Sequence, residues 1–191
     1  MCGRYSLHSS AEVVALQFGL ESVPAFQARY NIAPDADVLI VRNDGAACAK
    51  WRFKGKTHNA RLDSLGSKPL FRGARRCLLP ANGFFEWQRR TSGSQPFYLR
   101  AEGDLFGMAG ICDERSCAVI TTDASPAMAH IHDRMPVIVA PEDYEQWLEG
   151  KEVPSVEDLK AFPVSLAVNT AANDSPALIR PVQPARRDLF D

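Results

Sequence analysis

Residues 76–88 read RCLLPANGFFEWQ: an apolar run, a Pro-Ala-Asn-Gly segment and a second run rich in aromatic residues. Apolar and aromatic runs bounded by turn residues are typical of β-strands. The stretch therefore predicts two consecutive strands joined by a turn. The second strand contains Glu86 between Phe85 and Trp87, so it places a carboxylate among aromatic side chains.

Further short strands and helices surround this stretch. Residues 37–42 are β-branched and apolar, Asn-Asp-Gly follows, and 46–53 returns as a strand, which predicts a hairpin. The other predicted strands lie at 96–100, 105–112, 117–122, 136–139 and 163–168. Short helices are predicted after the capping-box spacing of Ser9 and Glu12, and at 68–74, 124–131, 141–148 and 155–161. Residues 54–65 show no sustained period, so we expect them to be irregular and exposed.

Together these elements predict an α+β fold, built round a mostly antiparallel β-sheet or barrel with short peripheral helices. A length of 191 residues and a hydrophobic content of 46% suit one globular domain. We expect a single domain over 1–191, with a core at 2–180 and a Pro- and Arg-rich surface tail at 181–191.

The cysteine count and the apolar runs indicate the compartment. Five cysteines without a Cys-x-x-Cys pair argue against a disulfide framework and for a reducing cytosol, where Cys48, Cys77 and Cys117 are expected to be buried small hydrophobes. No apolar run is long enough to span a membrane, and the N-terminus has no signal-peptide core. His130 and His132 lie two apart, but no further ligand completes a metal site, so neither metal nor cofactor is expected.

The charge distribution points to nucleic acid more than the net charge of −1 does. Residues 50–76 carry nine basic side chains against one acid, Asp63, whereas acids predominate from Glu142 onward. A basic face of this kind suits one-sided contact with a phosphate backbone. A solvated surface of mixed charge is the alternative interpretation.

The first four residues, Met1-Cys2-Gly3-Arg4, have unusual chemical prospects. Met aminopeptidases generally remove Met before a small residue, which would leave Cys2 with a free α-amine two carbons from its thiol. Such a 1,2-aminothiol condenses with an aldehyde through nitrogen and then sulfur, closing a thiazolidine ring. Both groups titrate within reach of neutral pH, at about 8 and about 8.5. The alternative is that position 2 is merely small.

Three other places carry candidate chemistry. Glu86 either points outward or lies in an apolar pocket with a raised pKa, ready to transfer protons. His132, beside Asp133, is a candidate proton carrier or phosphate contact. In the Asn59-Ala60-Arg61 segment the amide supplies a donor and an acceptor, and the guanidinium can bind a phosphate with two hydrogen bonds.

These pieces together resemble the SRAP family, the SOS response-associated peptidase-like proteins. The resemblance extends in order over nearly the whole chain. It rests on Met-Cys-Gly-Arg at the start, RYNIAP at 29–34, NAR at 59–61, RCLLPANGFFEW at 76–87, TTDA at 121–124, HDRMPV at 132–137 and the P-V-S…V-N pattern of 163–169.

The resemblance implies the SRAP fold, and recognition of abasic sites in single-stranded DNA with cross-linking through the N-terminal cysteine and lyase-type Schiff-base chemistry. It implies that Cys2 is the nucleophile, that Asn59 orients it, that Glu86 transfers protons and that His132 acts as acid or base near the sugar. Contacts to DNA are implied for Arg4, Asn31, Arg61, Trp87, Thr122, Arg134, Met135 and Pro136, the three arginines holding phosphates. The partner is then single-stranded DNA, and we expect a cytoplasmic monomer with no membrane contact.

One segment departs from the family pattern. SRAP proteins usually carry an aromatic-rich segment before the N-A-R block, whereas here Trp51 is followed almost directly by Asn59, so the chain is a shortened member. Two other functions stay open. The thiol could serve a cysteine peptidase or an autoprocessing hydrolase, or the domain could bind single-stranded or modified DNA without a covalent bond.

Overall fold

A computed structural model describes residues 2–91 and 93–183, in which thirteen strands and two short α-helices are present. The strands are β1 (Tyr5–Leu7), β2 (Arg29–Ile32), β3 (Asp37–Arg42), β4 (Gly45–Lys50), β5 (Asn59–Arg61), β6 (Arg75–Ala81), β7 (Gly83–Arg90), β8 (Gly93–Arg100), β9 (Phe106–Cys112), β10 (Cys117–Asp123), β11 (Arg134–Pro136), β12 (Ile138–Val139) and β13 (Lys160–Pro163). The helices are α1 (Ala11–Gln17) and α2 (Tyr144–Leu148), with 3-10 turns at Leu62–Ser64, Pro69–Phe71, Pro141–Asp143, Leu166–Asn169 and Pro176–Ile179.

The strands form two sheets, and the predicted mostly antiparallel α+β class is confirmed. One sheet has the order β13-β8-β7-β1-β2, and the other has the order β11-β10-β9-β6-β3-β4, with β12 on β9 and β5 on β10. The β5–β10 pair is parallel, and the other strand pairs between described residues are antiparallel.

The RCLLPANGFFEWQ stretch links the two sheets. It forms two consecutive strands as predicted, but β6 pairs with β9 and β3, whereas β7 pairs with β8 and β1. Asn82 holds the corner: its Oδ1 accepts from the backbone of His8 at 2.7 Å, and its Nδ2 donates to Ser9 Oγ at 2.7 Å. A Cβ on Gly83 would lie 2.4 Å from Tyr98 Oη and 2.7 Å from Leu99 O, so this position accepts only glycine.

Period-two alternation along β7 divides its side chains between two apolar clusters. Phe84 lies in the main core with Cys2 and Tyr5, whereas Phe85 packs on the other face with Val164. Glu86 follows the inward-facing register of Phe84 and is 2% exposed. The strand therefore carries the Glu86 carboxylate into the interior.

Several local predictions are confirmed. The β3–β4 hairpin turns at Gly45, whose φ of +111° suits glycine. The first helix begins after Ser10, whose side chain accepts from Val13 N at 3.4 Å, one residue later than the capping-box spacing suggested. In the segments 54–65, 124–131, 155–161 and 163–168, tertiary contacts override the sequence pattern.

The expectation that 54–65 is irregular and exposed is wrong for part of the segment. Asn59–Arg61 forms β5, in which Asn59 and Ala60 are buried because β5 pairs with β10. The predicted helix over 124–131 is a series of hydrogen-bonded turns instead, held by Met128 N and Ala129 N on Ser125 O, both at 2.9 Å.

Near the C-terminus two further predictions are wrong. Residues 155–159 are not helical, because Val156 N donates to Ile138 O at 2.8 Å and the segment follows β12. The last strand runs over Lys160–Pro163 and not over 163–168, which instead leads into a 3-10 turn. Cys77 and Cys117 are buried as expected, but Cys48 is exposed because it lies in the edge strand β4 and alternates there with the buried Ala49.

Of the predicted surface tail, residues 184–191 lie outside the described residues. Val182 N donates to Pro163 O at 2.9 Å, which holds the chain at this point against the end of β13. Within 2–91 and 93–183, no helix is long and apolar enough to cross a membrane.

Candidate functional site

The segment that precedes β1 extends along β7 and brings Cys2 to Glu86. Tyr5 stands opposite Phe84, and the backbone N–H of Phe85 donates to Arg4 O at 2.9 Å, so the antiparallel register continues toward the N-terminus. Cys2 is fully buried at the end of this ladder, and its Sγ lies 3.9 Å from Arg4 O.

Burial raises the pKa values of both Cys2 and Glu86. Burial raises the pKa of the Cys2 thiol well above its ordinary value, and the negative charge of Glu86 raises it further. Burial also raises the pKa of Glu86 to about 7, partly opposed by the backbone N–H of Trp87. Near neutral pH the thiol is therefore protonated, while Glu86 populates both its acid and its base forms.

Asn59 is held against the Cys2 backbone by β5. Val119 N donates to His58 O at 3.0 Å, and Asn59 N donates to Thr57 Oγ1 at 3.3 Å, which fixes the start of this short parallel strand. The Asn59 Nδ2 donates to Cys2 O at 2.8 Å. Its Oδ1 is buried without a hydrogen-bond partner among the described residues, so the amide retains one acceptor next to Cys2.

His132 follows the hydrogen-bonded turns of 126–131, which lie beside β7, the strand that carries Glu86. Gln88 Nε2 donates to His130 O at 3.0 Å and ties this segment to β7. Burial lowers the pKa of the His132 imidazole, which favours the neutral ring. The backbone N–H of Arg134 donates to His132 Nδ1 at 3.0 Å, and Asp133 Oδ1 lies 2.9 Å from the same nitrogen, so these two contacts favour different tautomers of the ring.

Arg4 and Asn31 converge on the segment around residues 168–173. Arg4 Nη1 donates to Asn31 Oδ1 at 2.9 Å and to Val168 O at 2.7 Å. Asn31 is fully buried, and its Nδ2 donates to Val168 O, Thr170 O and Asn173 O at 3.2, 3.1 and 2.9 Å. Both side chains therefore organise the backbone next to β1.

Trp87 is partly exposed on the outer side of β7, next to this segment. Its Nε1 donates to Asn169 Oδ1 at 2.7 Å, which fixes the plane of the indole ring. Sequence reasoning missed the role of Asn169. The V-N pattern at 168–169 was visible, but nothing in the sequence connects it to a residue 82 positions earlier.

Of the two other arginines predicted to hold phosphates, only Arg61 is exposed. Its Nη2 pairs with Asp63 Oδ2 at 2.8 Å, and an exposed pair of this kind exchanges readily. Arg134 is 7% exposed and binds Asp123 Oδ1 and, at 2.7 Å, Thr121 O. The Arg134 guanidinium therefore braces β10 against β11.

The remaining predicted DNA contacts lie in β10 and β11. Thr122 stands opposite Met135, and both line an open cavity of about 310 Å³. Met135 is 1% exposed and its sulfur accepts from Ser125 N at 3.3 Å, while Pro136 is also buried. The structure brings Asn59 into contact with Cys2 and places Cys2 beside Glu86, but it does not bring Met135 or Pro136 to the surface.

Three basic side chains of the run 50–76, those of Lys50, Arg52 and Arg75, pair with acids from other parts of the chain. Lys50 Nζ lies 2.9 Å from Asp37 Oδ1, and Arg52 Nη2 donates to Asp35 Oδ2 at 2.6 Å. The shortened loop is tight, because Phe53 N donates to Thr57 O at 2.7 Å. Beside it lies an open cavity of about 690 Å³, which Lys50, Arg52 and Asp35 help to line. No group of metal-ligating side chains occurs in the part of the chain that the structure describes.

A comparison with protein families gives a match to residues 1–171, described as SOS response associated peptidase (SRAP). The chain belongs to the SRAP family. The resemblance inferred from the ordered motifs is therefore confirmed.

Several curated proteins are similar to this SRAP chain. The abasic site processing protein YoqW of Bacillus subtilis (strain 168) is 31% identical, over 94% of this chain and 99% of that protein. The abasic site processing protein HMCES of Gallus gallus is 34% identical, over 85% of this chain and 64% of that protein. YedK of Escherichia coli (strain K12), also described as an abasic site processing protein, is 26% identical over 95% of this chain.

Solved structures share the SRAP fold described above. A protein from Bacteroides thetaiotaomicron superposes with a TM-score of 0.82 at 22% identity, covering 95% of this chain and all of that one. A protein from Bordetella bronchiseptica gives a TM-score of 0.75 at 22% identity, over 86% of this chain. At these identities the comparison establishes the fold.

Proposed function

We propose that this protein captures abasic sites in single-stranded DNA by forming a thiazolidine at Cys2 after Met1 has been removed. The observation that carries the proposal is the placement of a buried Cys2 beside Glu86, with the Cys2 carbonyl held by Asn59 Nδ2 at 2.8 Å. The names of the relatives, which are abasic site processing proteins, agree with a function of this class.

The condensation follows from the two nucleophiles of an N-terminal cysteine. The α-amine nitrogen attacks the open-chain aldehyde carbon of the abasic deoxyribose, and the carbinolamine loses its hydroxyl as water to form an iminium. The Cys2 sulfur then adds to the same carbon, the thiol proton leaves to a base, and the nitrogen keeps the electron pair of the former double bond. One aldehyde and one aminothiol thus give one thiazolidine and one water.

Glu86 fits the proton transfers of this sequence. With a pKa of about 7, the acid form can protonate the departing hydroxyl and the carboxylate can accept the thiol proton. A thiol whose pKa is raised by burial needs such a base close by, because little thiolate forms by itself. The neutral imidazole of His132 suits an acid or base near the sugar oxygen during ring opening.

Asn59 orients the Cys2 backbone. The Nδ2 hydrogen bond fixes the Cys2 carbonyl, and the unpartnered Oδ1 offers an acceptor for the α-amine that processing would create. A fixed amine loses less entropy when it attacks the aldehyde. The same iminium can also lose a proton from the adjacent sugar carbon and expel the 3′ phosphate, which is the associated lyase reaction.

The flanking DNA would use exposed groups at the rim of the site. Arg61 can exchange Asp63 for a phosphate, and the partly exposed ring of Trp87 offers a flat surface for a neighbouring base. Stacking of one base on an aromatic side chain contributes about 1–3 kcal/mol and tolerates any sequence. A sensor of lesions needs this tolerance.

A peptidase is the second candidate, and the electrostatics of Cys2 favour it less. A cysteine peptidase acts through a thiolate that a cationic neighbour stabilises. Burial and the charge of Glu86 instead raise the pKa of the Cys2 thiol. Aldehyde capture tolerates a neutral thiol, since the amine reacts first.

Capture is tested with protein of verified intact mass and a single-stranded oligonucleotide that contains one abasic site. Protein lacking Met1 should give a slower band on a denaturing gel, and Cys2→Ser should give no stable adduct. Cys48→Ser is the matched control, because Cys48 is an exposed thiol far from the N-terminus in sequence. Absence of any adduct from the Met1-free protein would disprove the proposal.

Borohydride separates the two covalent species. Cys2→Ser keeps an N-terminal amine, so borohydride should trap its imine on the oligonucleotide, whereas the wild-type adduct should form without a reductant. Cleavage of a peptide by wild type without any DNA adduct would favour the peptidase.

A further inference from the structure

An open cavity of about 410 Å³ lies where the β3–β4 turn, the start of β6 and the end of α2 meet. Arg42, Arg75 and Arg76 line it together with Asp44 and Glu149. None of these residues takes part in the proposed capture of abasic sites. By alternation along β6, Arg76 shares the face of Leu78 and Trp147, whereas Arg75 shares the face of Cys77, so the cavity lies at the end of this strand.

The three guanidinium groups share few carboxylates. Asp44 serves two of them, with its Oδ1 2.8 Å from Arg42 Nε and its Oδ2 3.3 Å from Arg75 Nη1. Glu149 is engaged by Lys151 Nζ at 2.7 Å. Three guanidinium groups therefore meet two carboxylates at the wall of the cavity, Asp44 and Glu149, and Glu149 is shared with Lys151.

Arg76 adds a donor that nothing described satisfies. Its guanidinium carbon lies 3.8 Å from the centroid of the Trp147 ring, so the group is held flat against the indole. Its Nη1 is buried and has no hydrogen-bond partner among the described residues. Burial lowers the pKa of Arg76, and the charge of Glu152 acts in the opposite direction. A buried donor without an acceptor is costly unless a ligand supplies one.

We propose that this arginine pocket, formed by Arg42, Arg75 and Arg76, binds a phosphoryl group. A tetrahedral dianion offers several acceptor oxygens, and guanidinium groups match them with paired hydrogen bonds. It would satisfy Arg76 Nη1 and balance the excess positive charge. The phosphoryl group could come from a small phosphate, such as a nucleoside monophosphate, or from a nucleic-acid backbone that reaches this cavity.

Thermal unfolding and calorimetry with three probes test the proposal: inorganic phosphate, a nucleoside monophosphate and an undamaged single-stranded oligonucleotide, each against chloride at equal ionic strength. Wild type should bind at least one of them with a rise in Tm, and Arg75→Ala should weaken that binding about tenfold or more. Arg75 is half exposed, so its loss should leave the fold intact, whereas Arg76→Ala also removes the stacking on Trp147.

Arg115→Ala is the matched control, because Arg115 is an exposed arginine that lines a different cavity. Arg75-dependent binding of the small phosphates identifies a small-molecule site, and Arg75-dependent binding of the oligonucleotide alone identifies the backbone as the source. Binding that Arg75→Ala leaves unchanged, or no binding of any probe, would overturn the proposal. Covalent capture of a short abasic oligonucleotide should be equal in wild type and Arg75→Ala, so the two proposals fail separately.

Discussion

Asn59 Nδ2 donates to the backbone oxygen of Cys2 at 2.8 Å across 57 positions of sequence. Asn59→Ala should leave this buried oxygen without a donor, which costs about 1–3 kcal/mol. We therefore expect about a tenfold or larger fall in the single-turnover rate of cross-linking. Asn43→Ala is the control, since Asn43 donates to Leu148 O on the exposed surface. Equal rates for Asn59→Ala and wild type would exclude a role of this hydrogen bond in capture.

Glu86→Gln should change how stability depends on pH. The pKa of Glu86 is raised from 4.5 to about 7 in the folded protein, so the folded state holds a proton that the unfolded state has released between these values. The stabilisation that the Glu86 proton gives the folded state is fully present below pH 4.5 and is lost as pH rises through about 7. Glu86→Gln should therefore gain stability over wild type with rising pH, by up to about 3 kcal/mol at pH 8. Urea unfolding between pH 5 and pH 8 measures this difference in the free energy of unfolding.

The control for this experiment is Glu114→Gln, on the exposed tip between β9 and β10. It should follow the wild-type profile. If the free energies of unfolding of Glu86→Gln and wild type differ by the same amount at every pH from 5 to 8, the pKa of Glu86 is not raised in the folded state.

Thiol reactivity should report processing of the N-terminus. Cys48 is exposed, whereas Cys2, Cys77, Cys112 and Cys117 are fully buried. In protein that retains Met1, an aromatic disulfide reagent should react quickly with one thiol, and Cys48→Ser should abolish this fast phase. After removal of Met1 we expect a second fast thiol, lost in Cys2→Ser. Several fast thiols in the Met1-retaining form would contradict the observed burial.

Arg61 and Arg134 should behave differently despite their similar predicted roles. Arg61→Ala removes an exposed cation, so the slope of log K against log salt for DNA binding should become shallower by about one. Arg134→Ala should instead lower the free energy of unfolding, because it leaves Thr121 O without its side-chain donor and removes the buried guanidinium that links β10 to β11. Denaturant unfolding and DNA titrations at several salt concentrations separate the two. Loss of stability in Arg61→Ala would reverse this assignment.

Asn31→Ala should loosen the segment that holds Trp87. Asn173 O loses its donor, whereas Val168 O keeps Arg4 Nη1 and Thr170 O keeps Asn173 N, so the expected loss of stability is about 1–3 kcal/mol. A fluorescence change of Trp87 should precede global unfolding, since Asn169 is released together with the segment. Here Asn173→Ala is the milder comparison, because its Nδ2 makes one exposed hydrogen bond to Ala167 O. If Asn31→Ala loses no more stability than Asn173→Ala, Asn31 does not organise this segment.

Local sequence signals predicted the elements that depend on local contacts. The β3–β4 hairpin followed from a β-branched run and a turn that ends in Gly45. Residues 155–159 were predicted to be helical, but Val156 N and Ser155 Oγ both pair with Ile138. Such distant partners cannot be read from a local pattern, and they override helix propensity.

The sequence alone determined the family, the antiparallel α+β class and the residue types that can react with an aldehyde or move a proton. Their order along the chain was sufficient, because motif and alternation are local properties. Only the tertiary structure decided that Glu86 faces inward with a pKa of about 7, that Asn59 holds Cys2, and that Arg134 braces strands. Burial and strand register set these properties, and both arise only when segments far apart in sequence pack together.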